Sequence, residues 1–550
     1  MLTRKQMMKC LSTIGVLLAC ASTAFAEPEP YKDPVFDVKA LTATPLNPKV
    51  LKTTEKDGIV SEEVMFHSET DGEKSVDIFA FFSYPKGAKN LPAFVWNQAG
   101  LGQASTYFTE LGAKRGYAAI CIDLPLAGYR STGGYQISGL EVGADPHQAP
   151  IYHGAVALLK AVSYLESRAE VDKDRIGMAG SSWGGFFTTL MIGIDPRLKV
   201  GSAMFGTGNL QLGSNWPIPE TNREKWQKTL DPAWRLQYSK TPIGWFTGTQ
   251  DFAYWMPSIM ATYEMAVGPK HLTLLPNWDH GLPPHLDEQV FVWLDAHLKN
   301  APAFIKVTPL KVSKQGNDLI AQWSFNGPRK AESADLILSY GDAGNWQNRY
   351  WITLKADIKD GTCTVKLPAS ILPYYISGAV TDGDKFRYST PLLRVNSKDF
   401  GVKVSNALLD YNGASLWGDF EEDQVLRYLN PNGWAHPQVS TDAHTGQQAA
   451  VLKAGKTALP RLYFSVGIPQ QFTAYMKADK PSEVAVELSG KFDGQVKSEQ
   501  KTFQIGTGWT KVSLPFTPPG ASSANLAAAI TVPEGSAMLV DSVSFAPAKP

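Results

Sequence analysis

Residues 175–185 read Arg-Ile-Gly-Met-Ala-Gly-Ser-Ser-Trp-Gly-Gly, and this stretch decides the fold. Residues 176–179 form an apolar run with the length of a short buried strand, and residues 186–194 continue as a helix-like apolar segment. Between them, residues 180–184 fit the pattern Gly-x-Ser-x-Gly. A strand, a tight turn and a helix around this pattern are typical of a serine that is held up at the edge of a sheet as a nucleophile.

The chemistry of this turn follows from its steric demands. Gly180 and Gly184 leave room for the strand and the helix to approach closely, and Ser182 then carries an accessible hydroxyl. The amide of Trp183 stands at the predicted helix start, where an N–H points toward an oxyanion beside the serine. We predict Ser182 as the nucleophile and Trp183 as one donor of the oxyanion hole. The alternative is an ordinary glycine-rich turn, because a chain with 47 glycines produces such patterns by chance.

A nucleophilic serine needs a base within hydrogen-bond reach, and that base needs an orienting carboxylate. In the chain order serine, acid, histidine, Asp251 follows the predicted strand 242–247 and His280 follows the predicted strand 271–275. Both residues therefore fall at the carboxyl ends of strands, on the same rim as Ser182. We predict Ser182, Asp251 and His280 as a catalytic triad.

Three neighbouring residues are alternatives for the acid or the base. Asp279 precedes His280, although the side chains of adjacent residues rarely aim at one another. His285, in a proline-flanked turn, is the main alternative base. His271 begins a predicted strand and so falls at the opposite end of the sheet.

The second oxyanion-hole donor and the substrate pocket are predicted from neighbouring loops. The loop after the strand 91–96 begins Asn97-Gln98-Ala99-Gly100, and a backbone amide of Gln98 or Ala99 is the predicted donor. Four tryptophans follow strands of the sheet, which predicts an aromatic-walled pocket for sugar rings or aryl groups; core packing is the alternative. They are Trp183 and the three predicted substrate-binding residues Trp216, Trp255 and Trp278.

The rest of the chain divides by hydrophobic period. Alternating apolar strands and helices up to residue 300 predict an α/β domain with a doubly wound, mostly parallel sheet. From residue 301 the helical signal ends, and period-two alternation predicts β-sandwiches. The predicted domains are a catalytic domain with an N-terminal arm at 27–300, an immunoglobulin-like sandwich at 301–399 and a jelly-roll at 400–550.

Residues 1–26 have the features of a signal peptide that is not part of the fold. A basic segment precedes an apolar one, and Ala24-Phe25-Ala26 forms a cleavage site after Ala26. Cys20 follows Leu17-Leu18-Ala19, so a lipoprotein anchor at Cys20 is the alternative. We predict a secreted or periplasmic protein without a membrane span after residue 26.

Charge and cysteine content exclude several classes of partner. The 550 residues carry 52 basic and 52 acidic side chains; without the three basic residues of 1–26 the balance is 49 minus 52, or −3. This balance predicts no nucleic-acid partner. Cys121 and Cys363 fall in different predicted domains, so no disulfide framework is expected. Neither a metal-binding spacing nor a phosphate loop occurs, so we predict no cofactor.

At these motifs the chain resembles a known family. Residues 170–177, Glu-Val-Asp-Lys-Asp-Arg-Ile-Gly, together with residues 180–185 and 251–254, resemble α/β-hydrolases of the acetyl xylan esterase-like and dienelactone hydrolase-like kinds. The same arrangement is similar to hydrolases of the prolyl oligopeptidase type. The resemblance covers residues 60–300 and implies the α/β-hydrolase fold with Ser182, Asp251 and His280 as the triad. Many relatives have His-Gly-Gly where this chain has Asn-Gln-Ala-Gly at 97–100.

Residues 400–550 resemble a jelly-roll of the carbohydrate-binding-module type, and a purely structural sandwich is the alternative. Asp419 and Asp541 are candidate ligands of a structural Ca²⁺. Together these features predict an exported serine carboxylester hydrolase that acts on acylated carbohydrate or related esters. The alternatives are a peptidase of the prolyl oligopeptidase type and a glycan-binding protein with a vestigial hydrolase domain.

Overall fold

The computed structural model describes residues 31–100, 102–126, 129–136, 140, 142–216, 218–282, 287, 289–340, 346, 351–370, 373–402, 416–418, 438–458, 462–464, 470–492, 495–517 and 524–547. The predicted signal peptide, its Cys20, the alternative base His285 and the candidate ligand Asp419 lie outside these residues.

A nine-stranded sheet organises the first half of the chain. Its strands are β1 (Lys49–Lys56), β2 (Ile59–Asp71), β3 (Lys74–Pro85), β4 (Leu91–Asn97), β5 (Ala118–Ile122), β6 (Val171–Ser181), β7 (Gly201–Met204), β8 (Ile243–Gly248) and β9 (Lys270–Leu275). They stand in the order β1-β2-β3-β5-β4-β6-β7-β8-β9. The pairs from β1 to β5 are antiparallel, whereas β5, β4, β6, β7, β8 and β9 are mutually parallel. The carboxyl ends of the parallel strands therefore meet at one rim.

Helices cover both faces of this sheet. They are α1 (Val38–Ala43), α2 (Tyr107–Lys114), α3 (Pro150–Ser167), α4 (Trp183–Ile194), α5 (Arg223–Thr229), α6 (Met256–Met265) and α7 (Gln289–Leu298). Buried side chains of α3 and α4 pack with Val95 in one hydrophobic core, and those of α2 and α7 pack with Phe94 in another. Neighbouring residues of β4 thus serve opposite faces, as the alternation of side chains along a strand requires.

The region predicted as an N-terminal arm contains an edge strand of the sheet. β1 pairs with β2 in antiparallel register from Lys49 opposite Met65 to Lys56 opposite Ile59. Every residue of β1 is exposed, including the adjacent apolar residues Val50 and Leu51, so neither face is buried and no period-two hydrophobic pattern results. Its pairing rests on backbone hydrogen bonds, which a sequence pattern does not reveal.

Two antiparallel sheets follow, as expected for a β-sandwich. The strands are β10 (Lys306–Val307), β11 (Lys311–Gln315), β12 (Asp318–Asn326), β13 (Ala331–Tyr340), β14 (Ile352–Lys355), β15 (Asp357–Lys359), β16 (Thr362–Leu367), β17 (Tyr374–Asp382), β18 (Arg387–Ser389) and β19 (Leu393–Val395). One sheet runs β10-β12-β16-β15 with β11 beside β12, and the other runs β14-β13-β17-β18 with β19 beside β17. We call this unit the first sandwich.

The second sandwich comprises β20 (Leu416–Gly418), β21 (Val439–Ser440), β22 (Ala449–Leu452), β23 (Gly455–Ala458), β24 (Leu462–Phe464), β25 (Gln470–Ala478), β26 (Ser482–Phe492), β27 (Gln495–Ile505), β28 (Thr510–Phe516), β29 (Ala524–Val532) and β30 (Met538–Pro547). One sheet runs β21-β22-β30-β25-β28 with β20 beside β30, and the other runs β23-β29-β26-β27 with β24 beside β29. The predicted fold class, an α/β sheet followed by β-sandwiches, is confirmed.

The first sandwich packs against β9, the last strand of the large sheet. The backbone N–H of Leu274 donates to Ser389 Oγ at 3.0 Å, and Arg387 Nε donates to the Leu274 carbonyl at 2.9 Å. Beyond the strand, Asn277 exchanges two hydrogen bonds of 2.7 and 2.8 Å with the backbone of Trp351. The strand that leads to His280 is therefore fixed from outside the α/β domain.

Two buried cysteines are free thiols in the described part of the chain: Cys121 in β5 and Cys363 in β16. Burial raises the pKa of each thiol to about 12. Within the described part of the chain, none of the helices is both long enough and apolar enough to cross a bilayer.

Candidate active site

The turn between β6 and α4 holds Ser182 in a strained backbone conformation. Ser182 has φ 59° and ψ −120°, which a residue with a Cβ rarely adopts. Its N–H donates to the Met204 carbonyl of the neighbouring strand at 2.9 Å. A Cβ on Gly184 would stand 2.1 Å from the Asn97 carbonyl oxygen, so only glycine fits there. The small residues of the motif thus allow the close approach that positions the serine.

The three side chains predicted as a triad form one hydrogen-bonded chain. Ser182 Oγ lies 2.7 Å from His280 Nε2, and His280 Nδ1 lies 3.0 Å from each carboxylate oxygen of Asp251. Asp251 is 1% exposed and His280 is 8% exposed. An Nδ1–H that donates to Asp251 leaves Nε2 as the acceptor for the serine proton.

Asp251 is also fixed by the chain that follows it. Its Oδ1 accepts the backbone N–H groups of Ala253 at 2.8 Å and of Tyr254 at 2.9 Å. These bonds hold the carboxylate in the orientation that meets His280. The carboxylate is therefore fixed before any ligand arrives.

The alternative acid, Asp279, performs a different task. Its Oδ1 accepts the N–H of Phe252 at 3.0 Å, which ties the loop after β9 to the loop after β8. Burial and, second, the charge of Asp251 raise the pKa of Asp279 to about 6. The alternative histidine His271 is buried inside β9 against Thr273 Oγ1 at 2.8 Å, and burial lowers its pKa to about 3.

The loop after β4 lies beside the serine turn, as the backbone contact of Asn97 with Gly184 shows. The Gln98 side chain accepts from Trp96 Nε1 at 3.3 Å and donates to Ser105 Oγ at 2.6 Å. Both polar ends of the Gln98 side chain are thus held by neighbouring side chains, and the second oxyanion donor, a backbone amide of Gln98 or Ala99, stays a prediction. Trp183 is the first residue of α4, where the N–H has no acceptor within the helix.

Aromatic rings extend from the triad on one side. Trp183 packs on Trp216 at 5.1 Å between ring centroids, and Trp216 packs on Tyr254 at 5.0 Å. The Tyr254 ring in turn lies 6.1 Å from the His280 ring and nearly parallel to it. Two predicted pocket residues, Trp183 and Trp216, are therefore joined to the triad through Tyr254.

The other two predicted tryptophans have different positions. Trp255 is partly exposed, and its Nε1 donates to the Phe252 carbonyl at 3.0 Å. The Phe252 ring in turn packs against the His280 ring, with centroids 5.0 Å apart. Trp278 is 0% exposed, and its Nε1 donates to the Gly281 carbonyl at 2.8 Å. The prediction of Trp278 as a pocket wall is wrong, because its ring is a core element that supports the turn carrying His280.

Three aromatic rings that were not predicted from the sequence surround His280. Phe205, Phe252 and Tyr254 approach the imidazole from different directions, at 5.8, 5.0 and 6.1 Å. Phe205 has φ 48°, a second strained residue next to the site. A signal for Tyr254 and Phe252 was present in the quoted stretch 251–254, whereas Phe205 follows a strand without any distinctive pattern.

Few known proteins are similar to this chain in sequence, whereas many solved structures are similar to it in fold. No family model matches the chain. A dipeptidyl-peptidase 5 of Porphyromonas gingivalis is 27% identical over 242 residues, and the match covers 38% of this chain and 34% of that protein. The chain thus spans about a third of the length of this curated relative.

Among solved structures, an acetyl xylan esterase from Paenibacillus sp. R4 is similar with a TM-score of 0.42 and 23% identity, over 50% of this chain and 97% of that one. Acetyl xylan esterase 1 from Thermoanaerobacterium sp. is similar with a TM-score of 0.39 and 16% identity, over 47% and 90%. These likenesses concern the fold alone. Residues 49–298 have the α/β-hydrolase fold that the sequence resemblance implied. This assignment rests on the strand order, on the positive φ of Ser182 after β6 and on the rim where the carboxyl ends of the parallel strands meet.

Proposed function

We propose that this protein is a serine carboxylester hydrolase that removes acyl groups of the acetyl type from carbohydrate or related esters. The observation that carries the proposal is the hydrogen-bond chain from Ser182 through His280 to Asp251. A serine at neutral pH becomes a useful nucleophile only when such a base accepts its proton during attack.

The reaction proceeds in two halves. The Ser182 oxygen attacks the ester carbonyl carbon while His280 Nε2 takes the hydroxyl proton, and Asp251 stabilises the resulting imidazolium. The backbone amides of Trp183 and Gln98 donate to the developing oxyanion. His280 then protonates the leaving alcohol, which leaves an acyl-serine. A water molecule, deprotonated by His280, attacks this ester, releases the acid and restores Ser182.

The rings beside the triad support a carbohydrate or aryl substrate. Trp183, Trp216 and Tyr254 form a continuous row from the serine turn to the imidazole, in which Trp183 and Tyr254 are buried and Trp216 is partly exposed. The partly exposed rings of Trp216 and Trp255 can pack against the C–H surface of a sugar ring. The sequence resemblance to acetyl xylan esterase-like proteins supports the same class of substrate.

Export follows from residues 1–26 as part of this proposal. The basic segment, the apolar segment and Ala24-Phe25-Ala26 support cleavage after Ala26, with a lipid anchor at Cys20 as the alternative. Intact mass measurement of the protein from its native host separates the two, since an anchored form begins at Cys20 and carries lipid.

The test of the reaction is Ser182→Ala. We expect this variant to lose at least about 10³-fold in kcat on p-nitrophenyl acetate, since the nucleophile is absent. A fluorophosphonate probe should label the wild type at Ser182 and fail to label the variant. Unchanged turnover in Ser182→Ala would overturn the assignment, and an unreactive wild type would favour a vestigial hydrolase domain.

Peptide hydrolysis is the second candidate, because the similar Porphyromonas gingivalis protein is a dipeptidyl-peptidase. The same triad serves amide and ester substrates, so the substrate pocket decides between them. We expect kcat/KM on acetylated xylan oligosaccharides to exceed that on dipeptidyl naphthylamides. The opposite ranking would replace the esterase proposal with the peptidase.

A further inference from the structure

The second sandwich exposes an unusual face on the sheet that contains β25, β28 and β30. Along β25, Phe472, Ala474 and Met476 are buried in the core of the sandwich. The alternate residues Gln471, Thr473 and Tyr475 are partly exposed and belong to the opposite, outward face. Outward faces of sandwich sheets are normally polar, so the aromatic side chain of Tyr475 is unusual at this position.

Three rings cluster at this point. The His444 ring stacks on the Tyr475 ring with centroids 3.6 Å apart and an angle of 13° between the ring planes. The Trp509 ring meets His444 edge-on at 5.8 Å. All three residues are partly exposed. The cluster, which we call the aromatic platform, thus presents ring surface to solvent in place of the usual polar side chains.

The position of His444 is built into the fold. Asp541 is 0% exposed, and its Oδ2 accepts the backbone N–H of His444 at 2.6 Å and of Thr445 at 2.9 Å. Ser542, with φ 51°, places its Oγ 3.2 Å from His444 Nδ1 and 2.7 Å from the Thr445 hydroxyl. A buried carboxylate and a strained residue thus hold one surface turn in place, which orients the imidazole before any ligand arrives.

Asp541, a predicted Ca²⁺ ligand, stabilises this turn through both carboxylate oxygens. Its Oδ1 accepts the N–H of Ser542 at 2.5 Å, and its Oδ2 accepts the N–H groups of His444 and Thr445. The Ca²⁺ role stays a prediction.

Neutral polar groups continue from the platform along the same face. Thr473 stands directly opposite Ser513 of β28, and Gln471 Nε2 donates to Ser513 Oγ at 2.7 Å. Hydroxyl and amide groups in such a row can donate and accept hydrogen bonds at regular spacing. We call Gln471, Thr473 and Ser513 the polar row.

The charges around the platform balance. Lys477 pairs with Asp442, and Lys511 and Asp541, which have opposite charges, lie on the strands to either side of Tyr475. Among the described residues, the face therefore has neither the cluster of cations that an anionic polymer requires nor an excess of carboxylates. A ligand that suits it is uncharged, with flat apolar surface on one side and hydroxyl groups along its edge.

We propose that the aromatic platform and the polar row form a binding site for a neutral polysaccharide on the second sandwich. A pyranose ring packs its C–H face on Trp509 and its edge against the His444 imidazole, with Tyr475 behind the imidazole, and the next sugar units exchange hydrogen bonds with the polar row. The site lies in the second sandwich, whereas Ser182 lies in the α/β domain, and the site is independent of the proposed esterase reaction.

The experiment is affinity electrophoresis of the full chain in native gels that contain wheat arabinoxylan, konjac glucomannan or barley β-glucan. We expect at least one of these neutral polymers to retard the wild type, and polygalacturonate, an anionic polymer, to leave its mobility unchanged. Trp509→Ala should lose most of the retardation, since stacking on one ring supplies a large share of such binding. Mobility unaffected by every neutral polymer, or retardation by polygalacturonate alone, would overturn the proposal.

Two further variants keep the result interpretable. Thr473→Ala changes only the polar row and should weaken retardation partially, even if Trp509→Ala folds poorly. Lys501→Ala, on exposed β27 of the opposite sheet, is the matched control and should migrate like the wild type. Equal retardation of Trp509→Ala, Thr473→Ala and wild type would refute the site. Turnover of p-nitrophenyl acetate should be the same in all of these proteins, which shows that the α/β domain is intact.

Discussion

Ser182, the proposed nucleophile, has a strained backbone conformation. Ser182 has φ 59° and ψ −120°, and the structure tolerates it because β6, α4 and the Met204 carbonyl fix both sides of the turn. Strain of this kind costs about 1–3 kcal/mol per residue and persists where the surrounding fold determines it. The conformation that exposes the Ser182 hydroxyl therefore lowers the stability of the folded protein.

Replacing Ser182 by glycine should relieve that strain. Both Ser182→Gly and Ser182→Ala lose the nucleophile, but only glycine adopts the backbone angles without a Cβ clash. We expect Ser182→Gly to exceed Ser182→Ala in free energy of unfolding by about 1 kcal/mol. Chemical denaturation of the two inactive variants measures the difference. An alanine variant at least as stable as the glycine variant would show that the turn is not strained.

At the scale of elements, the site depends on two loops that follow neighbouring parallel strands. The loop after β8 carries Asp251, the loop after β9 carries His280, and Asp279 joins them through the Phe252 N–H. The pKa of Asp279, raised to about 6, means that ionisation of this carboxyl is unfavourable in the folded protein. Above that pH the buried charge beside Asp251 therefore lowers stability, although the hydrogen bond from the Phe252 N–H favours the ionised carboxyl.

The folded pKa of Asp279 lies above its unfolded value of 3.8, so between 3.8 and about 6 the folded state binds more protons than the unfolded state. The contribution of this group to stability is greatest below the unfolded pKa and is lost as the pH rises through about 6.

Asp279→Asn tests this effect, since an amide oxygen still accepts the Phe252 N–H and carries no charge. We expect the variant to be more stable than wild type at pH 8 by about 1–3 kcal/mol, and this difference to fall to about half near pH 5. Urea denaturation at both pH values measures it. A variant that is less stable than wild type at pH 8 would contradict the expectation.

Elements were predictable from sequence where burial imposed a period and were missed where it did not. The turn at 180–184, the strand ends near Asp251 and His280, and the change to period two near residue 301 followed from apolar spacing and turn residues. β1 was missed because all of its residues are exposed. Trp278 was misassigned because position after a strand does not reveal which way a ring turns.

At the scale of the whole molecule, the first sandwich acts as a support for the α/β domain. Arg387 connects them: its guanidinium binds both oxygens of Asp335 at 2.6 Å, and its Nε donates to the Leu274 carbonyl of β9. One hydrophobic core contains residues of both units, including Phe246 of β8 and Phe386 beside β18. We infer that the two units unfold together.

Arg387 lies in the first sandwich, and Arg387→Met should therefore also destabilise the α/β domain. The change leaves Asp335 largely buried without its partner and removes the bond to β9, at a cost of about 3 kcal/mol. We expect the midpoint of thermal inactivation of p-nitrophenyl acetate hydrolysis to fall. Lys366→Met, which removes an exposed ion pair with Asp318 in the same sandwich, should change it little, because such pairs contribute about 0–1 kcal/mol. Equal midpoints for the two variants would show that the sandwich does not support the α/β domain.

The two buried thiols give each of these units its own chemical reporter. Cys121 lies in the central sheet and Cys363 in the first sandwich, and both are protonated and shielded in the native state. A thiol reagent can modify either one only during a transient opening of the surrounding strands, so the modification rate measures how often that opening occurs. If the two units open as one, peptide mass spectrometry should find both cysteines alkylated in the same molecules; independent opening would produce singly alkylated chains first.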